Sequence, residues 1–455
     1  MSLPRGYLQV AIQKIPNEYA QTFLYIVDFR PIKKEPILLP EKTKEHYLFS
    51  LVKEIDEHIF NKTNYKHYGF LPMKMAALLQ MAARYNSGFP NNFHIGLTGA
   101  KSSGKSQFAK YWGITLYAEN CLATSATSIS IPKLRGTMES FHLFSKEHRF
   151  QYRGLLGEKD LIVIDELKEN PEVKNNLKIY LLETNYDYSK AGGSTQTHKR
   201  NAHVIITQNV DTGHLDRLAK ETKKIYQSDD LRHINEEDNE PKPAWDSKID
   251  LTLGLNHYKN PFLRYAIKKI RDEFSRNEIN WIDGSELALK QRFPFYFFLG
   301  TKKYSKELDD LIKETSTLNV IEDNTEITKI MDPSLLRKFF HSLEEFNNGT
   351  NDLEYFDKVD NLLNSYGKLN DARTKKIMYA MIKLIRIIDK RNYCTDKDLE
   401  IFQFILEFLD NKVEIVDTNE YKIHGPNIDN TKEDIIEEGS EMGGWHDGGL
   451  DEFDE

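Results

Sequence analysis

Apolar residues alternate or run together over 8–15 and 22–29 with a short polar link between them, which predicts a small β-hairpin. Over 45–60 and 72–84 the apolar spacing changes to three and four residues, the period of a helix, and Pro72 stands in a first turn where its missing N–H costs nothing. Short apolar runs follow at 93–98, 121–124, 160–165, 203–208 and 294–299, separated by helical stretches. Strands buried on both faces lose the polar alternation of a half-exposed strand, so these runs predict the parallel sheet of an α/β fold.

Between Asn209 and Glu286 lies a stretch too long to be a strand connection, with a polar loop at 236–243 and one clear helix at 261–274. It reads as an insertion at about 210–287. Beyond Leu299 the pattern is helical throughout, at 333–345, 353–366, 371–389 and 396–409, the last with Thr395 as N-cap. Short apolar runs at 413–416 and 421–423 predict a closing hairpin. The organisation expected is a β stub over 1–42, lead-in helices over 43–92, a core over 93–300, a helical lid over 301–411, and a hairpin with a disordered acidic tail over 412–455.

Net charge changes the picture only once it is divided. The chain carries −8, but residues 425–455 hold 11 acidic residues against Lys432, or −10, which leaves +2 for the rest. The body is therefore compatible with an anionic partner. Cys121 and Cys394 stand far apart without a histidine pair nearby, so they build neither a disulfide framework nor a zinc site. The absence of a long apolar run or a signal-like start predicts a cytoplasmic protein with no membrane partner.

Candidate chemistry begins at Gly99-Ala100-Lys101-Ser102-Ser103-Gly104-Lys105-Ser106, a full G-x-x-x-x-G-K-S phosphate loop between an apolar strand and a helix. Glycines there let backbone N–H groups turn toward the phosphates of ATP, Lys105 reaches the β and γ oxygens, and the Ser106 hydroxyl is a ligand for Mg²⁺. The strand over 161–165 ends in Asp165 and Glu166. Buried carboxylates need a cation or a water to serve, so Asp165 is assigned to Mg²⁺ and Glu166 to the attacking water as general base. Asn209 closes the strand over 203–208, and its amide is assigned to orienting that water.

With these motifs in place the chain resembles the minichromosome maintenance family of ring-forming AAA+ replicative helicases, over roughly 45–409. Tyr68-Gly69 ahead of Met73-Lys74-Met75-Ala76 looks like the family's "Y-G, then K-K-A" lead-in to the nucleotide site. Tyr188-Ser189-Lys190-Ala191-Gly192 resembles its "I-A-K-A-G" channel hairpin, and His198-Lys199-Arg200-Asn201-Ala202 its "L-N-A-R" approach to the sensor strand. The resemblance implies that Lys190 grips DNA, with Lys199 and Arg200 beside it. Lys133 and Arg135, in the place of a second channel loop over 127–137 followed by helix-prone 138–146, are implied by the resemblance as further candidate DNA contacts. Arg292, in a segment similar to "S-R-F-D-L-I-F", is implied as the arginine finger, with Arg217 and Arg232 as competitors. Arg373, in Asp371-Ala372-Arg373-Thr374, is implied as the sensor 2 arginine that acts across a subunit interface.

The chain is expected to depart from the family at three places: only residues 1–39 stand in the place of its N-terminal oligonucleotide-binding and zinc domain, Gly104 stands where alanine is common, and the insertion has no counterpart. The fold implied is a P-loop NTPase core of the AAA+ kind, a parallel sheet with helices, followed by an all-helical lid and the acidic tail. The function implied is an ATP-driven DNA helicase or translocase, acting as a homo-oligomeric ring, expected to be a hexamer, on single-stranded or forked DNA in replication. The acidic tail is a candidate for docking a replication partner. Two other readings stay open on the sequence: a superfamily-three-like replication initiator, and an AAA+ protein remodeller that would grip with Tyr186 or Tyr188.

Overall fold

The computed structural model describes residues 8–16, 22–31, 46–60, 70–86, 88–89, 92–101, 103–117, 120–143, 146–181, 185–189, 195–210, 212–228, 245, 249–302, 333–366, 372–409 and 412–415. The N-terminal run forms the expected hairpin, with strand β1 (Leu8–Pro16) antiparallel to β2 (Thr22–Pro31). Helices α1 (Tyr47–Phe60) and α2 (Leu71–Tyr85) follow. Helix α2 is buried on nearly every side, which is why its sequence is apolar apart from Lys74, Gln80 and Arg84.

The core alternates strands and helices: β3 (Ile95–Gly99), α3 (Lys105–Tyr117), β4 (Cys121–Ser125) and the short α4 (Ile131–Arg135), then a hairpin of β5 (Thr137–Leu143) and β6 (Lys146–Tyr152). Next come α5 (Gly154–Glu158), β7 (Leu161–Asp165) and α6 (Pro171–Tyr180), the hairpin of β8 (Asn185–Ser189) and β9 (Thr195–Lys199), and β10 (His203–Asn209). The insertion carries α7 (Thr212–Gln227) and α8 (Pro261–Arg276), and α9 (Leu287–Lys290) leads into β11 (Phe295–Lys302). Helices α10 (Pro333–Ser342), α11 (Asp352–Ser365), α12 (Ala372–Ile388) and α13 (Asp396–Leu409) precede β12 (Lys412–Ile415).

Six parallel strands lie in the order β12-β11-β3-β10-β7-β4. Side chains of a strand alternate between faces, so the strands from β11 to β4 feed two separate cores. Ile95, Leu97, Ile205, Leu161, Val163, Phe295 and Phe297 point into one, shared with α1, α2, α3 and the four C-terminal helices. Ile162, Ile164, Val204, Ile206 and Tyr296 point into the other, closed by Leu155, Leu156, Val173, Leu177, Leu289 and Phe293. The C-terminal helices thus pack as a layer on the sheet's first face. In that layer the buried Asp398 carboxylate accepts from His46 Nε2 at 3.0 Å and from Arg391 Nη2 at 2.7 Å, tying the start of α1 to α13.

Two expectations are corrected. Residues 138–143 lie in β5 and Lys146 opens β6, its antiparallel partner, in place of a helix. The run expected at 413–416 begins in β12, which adds in parallel to β11 at the edge of the main sheet, while its expected hairpin partner, 421–423, lies outside the described residues. The insertion holds a second long helix, α7, and the pair makes its own small core of Leu218, Tyr226, Phe262, Leu263, Ile267 and Ile270. The chain returns from this insertion through a buried turn, where Asp283 Oδ2 accepts from Tyr296 Oη at 2.7 Å and from Gln208 Nε2 at 3.4 Å.

Candidate active site

The strands β3, β7 and β10 end level with one another. Gly99 is paired with Asn209 in register, and Ile206 with Ile164, so Thr207 stands opposite Asp165. In a parallel sheet the carboxyl ends of the strands are where loops and helix N-termini converge, and the phosphate loop lies there. Gly99 takes φ +153°, and a Cβ on it would sit 2.3 Å from the Leu299 carbonyl oxygen of β11. Only glycine fits. Gly104 turns the chain into α3 at φ +87°, which leaves the first N–H groups of that helix facing the loop.

Lys105 is almost fully buried, and its Nζ donates to the Gly99 carbonyl at 3.0 Å, the Ala100 carbonyl at 2.5 Å and Ser103 Oγ at 3.1 Å. Burial brings its pKa down to about 8, with the Asp165 carboxylate pulling the other way. The ammonium is folded onto the loop that surrounds it, held by carbonyls that a phosphate oxygen would replace.

Asp165 accepts from Ser106 Oγ at 2.7 Å and from the Thr207 hydroxyl, and Lys110 Nζ stands 3.6 Å from its second oxygen. Burial opposes its ionisation, but those two hydroxyl donors and the Lys110 charge outweigh it and hold the carboxyl below the usual range. Thr207 also approaches the Glu166 backbone N–H at 3.4 Å. Glu166 itself sits in the left-handed region at φ 57°, ψ 48°, with an exposed side chain. A non-glycine residue in that conformation is strained, and such strain gathers at functional sites. Asn209 is half-buried at the end of β10, beside Gly99.

One carboxylate and one hydroxyl, with phosphate and water supplying the remaining oxygens, suit Mg²⁺, which is seldom held by an all-protein cage. No group of three or more histidine, cysteine or carboxylate side chains able to hold a metal is present among the described residues. The Ser106–Asp165 pair fits the metal because its two oxygens already face each other across the loop.

The residues assigned to neighbouring subunits lie away from this cluster. Arg292 is half-buried, with Nε donating to the Lys178 carbonyl at 3.0 Å and Nη1 to the Ala288 carbonyl at 2.6 Å. Burial, and then the nearby Arg373 charge, push its pKa down. Arg373 is exposed in the first turn of α12, and Ile179, adjacent to the Lys178 carbonyl, is 62% exposed. One surface therefore carries both arginines and an exposed apolar side chain. Arg217 is exposed on α7 and donates to His214 Nδ1 at 3.3 Å.

Among the DNA contacts, Arg200 is corrected. It is fully buried, with Nη1 on the Tyr180 carbonyl at 3.2 Å and Nη2 on Asn92 Oδ1 at 2.5 Å, so it braces the base of the sheet and does not face solvent. Arg135 is half-buried with Nη1 on Tyr180 Oη at 3.2 Å, while Lys133 is exposed at the start of α4, whose N-cap is Ser130. The β8–β9 hairpin is present, its last pair Ser189 and Thr195, but Lys190 and the side chain of Lys199 lie outside the described residues. So do Ser102, Tyr68, Gly69, Arg232 and the acidic tail.

Sequence reasoning misses Thr207 and Lys110. A hydroxyl two residues before Asn209 in an otherwise apolar strand is the available signal for Thr207; Lys110 carries none, because its role depends on how α3 lies against β7. No family model matches the chain, and no curated protein matches it. No helix among the described residues is long and apolar enough to cross a membrane.

Proposed function

We propose that the chain is an ATP-hydrolysing motor of the AAA+ kind, similar to the minichromosome maintenance helicases, which moves DNA through a ring of identical subunits, a hexamer, at a replication site in the cytoplasm. The observation that carries the reading is the convergence of Ser106 and Thr207 on Asp165, close to the phosphate loop, with the exposed Glu166 beside it.

The backbone of 99–106 wraps the phosphates, and Lys105 exchanges its loop carbonyls for β and γ oxygens. Ser106 and Asp165 would hold Mg²⁺, which would supply positive charge to the phosphate groups. Water attacks the γ-phosphorus, its proton passes to Glu166, the bond to the bridging β–γ oxygen breaks, and ADP and phosphate leave. Asn209 orients the water. Arg292, held by two carbonyls of its own chain, presents a fixed guanidinium to the next subunit, and its closeness to Arg373 gives a pair of cations with a common use for an anion.

The resemblance of 188–192 to a DNA-gripping hairpin directs the motor to DNA, and the antiparallel pairing of β8 with β9 supports it. The test is the rate of ATP hydrolysis with and without single-stranded DNA for the wild type, Glu166→Gln and Lys190→Ala. Glu166→Gln should bind ATP and not hydrolyse it; Lys190→Ala should hydrolyse without DNA and lose the stimulation. Hydrolysis that DNA neither stimulates nor couples to Lys190 would sink the translocase reading and favour protein remodelling.

A further inference from the structure

The insertion presents a charge pattern that the nucleotide site does not use. Its helices face each other through Leu218, Tyr226, Phe262, Ala266, Ile267 and Ile270, which leaves their other faces to solvent. On α7 the exposed cations are Arg217, Lys220, Lys223 and Lys224; on α8 they are Arg264, Lys268, Lys269 and Arg276. The exposed carboxylates on the same helices are Asp216, Asp272 and Glu273, so eight positive charges face three negative ones, a difference of +5.

Spacing would let some of them pair. Asp216 and Lys220, Lys268 and Asp272, and Lys269 and Glu273 are each four apart, the distance at which helical ion pairs form. Among the described residues none of these lysines has a carboxylate oxygen within 4.0 Å. Some cations elsewhere are engaged: Lys174 and Lys178 with Glu286, Lys375 with Asp360, Lys383 with Asp352. Two further charges on these helices, Glu221 and Arg271, are half-buried and cancel, with Arg271 over the Trp281 ring at 4.0 Å. Like charges on adjacent helix turns repel, so an unneutralised stripe is held at a cost that an external polyanion removes. Tyr265 is 36% exposed four residues before Lys269, a ring on the same stripe as a cation.

We infer that the outward faces of α7 and α8 bind the phosphate backbone of nucleic acid, as a second contact outside the subunit's nucleotide site. The inference rests on the DNA-directed reading of the motor. A polyanion held there would lie close in sequence and structure to the residue assigned to the attacking water. Helix α7 begins three residues after Asn209, and the insertion's closing turn hydrogen-bonds through Asp283 to Gln208, the neighbour of Asn209.

The test compares the full chain with Lys220→Gln, Lys224→Gln, Lys268→Gln and Lys269→Gln combined, four exposed positions where glutamine keeps the helix. Binding to duplex and to single-stranded DNA is titrated without nucleotide across about 50–200 mM salt. On the strand type the surface prefers, the variant's plot of log affinity against log salt should become shallower by about 0.9 per lost phosphate contact for duplex, or about 0.7 for single strands. Hydrolysis without DNA should stay at the wild-type rate, which shows that the variant is folded. A wild type that binds DNA, with a variant of equal affinity and equal slope, overturns the inference and leaves the motor reading standing. A wild type that binds neither form overturns both.

Discussion

Thr207→Val is the sharpest probe of the site. The substitution keeps the shape of a side chain that is 1% exposed but removes a donor to the Asp165 carboxylate and an acceptor facing the Glu166 N–H. A hydrogen bond to a charged group contributes about 1.5–3 kcal/mol. Asp165 is half-buried, so water replaces part of that loss, and about 1–2 kcal/mol is a fair expectation. If the loss falls on the transition state, kcat drops roughly 5- to 30-fold. Because the phosphate loop is untouched, nucleotide affinity measured in the presence of a chelator should not change. The Mg²⁺ concentration for half-maximal hydrolysis should rise, since the carboxylate is less well held in its ionised, oriented form. Thr207→Ser keeps the hydroxyl and should restore most of the rate. The assay is steady-state hydrolysis against Mg²⁺, with chelator-based nucleotide binding and a melting curve alongside. A valine variant with unchanged kcat and Mg²⁺ dependence, or a serine variant as impaired as valine, would refute the positioning argument.

Other outcomes follow from the same geometry. Gly99→Ala forces a Cβ to within 2.3 Å of the Leu299 carbonyl and should cost about 2–4 kcal/mol of stability, read as a lowered melting temperature. For Lys105, burial sets the folded-state pKa at about 8, below the ~10.4 of an unfolded lysine. Between those values the unfolded chain binds more protons, so this group makes stability rise with pH across that window, and Lys105→Met should flatten the rise. Nucleotide affinity of the wild type should fall as pH rises through about 8; equal affinity at pH about 7 and 9 would contradict the burial argument. Arg200→Lys should lose about 2–4 kcal/mol, because an ammonium cannot span Asn92 and the Tyr180 carbonyl, and full thermal stability would show that the buried contacts do not matter. Mixing Arg292→Ala with Lys105→Ala subunits, each inactive alone, should recover hydrolysis if the arginine acts on a neighbour's nucleotide; no recovery would shift attention to Arg217.

Much of the main sheet is legible in apolar runs, because strands covered on both faces leave an unbroken hydrophobic signal, as in Leu161-Ile162-Val163-Ile164. Asp165, Glu166 and Asn209 stand out for a related reason: they are polar residues at the ends of such runs. Helix α7 is hidden because its buried stripe includes His214 and Thr222, polar side chains that break the apparent period. The β5–β6 hairpin reads as a helix since Met138, Glu139, Phe141 and Leu143 have no turn residues between them to mark a strand. In sequence β12 looks like one arm of a hairpin, for a short apolar run says nothing about which edge it will join. Arg200 has the basic neighbours of a surface cation, and no local pattern reveals that it closes the base of the sheet.

The largest apolar cluster joins residues as distant in sequence as Leu48, Leu97, Phe297 and Ile405. During synthesis the face of β3 that carries the phosphate loop has no complete cover until α13 has left the ribosome. A nascent chain halted after β11 would present Leu97, Phe295, Phe297 and much of α2 to water. The order of translation therefore places the covering of this sheet face after the strands that carry Gly99, Asp165 and Asn209 have been made.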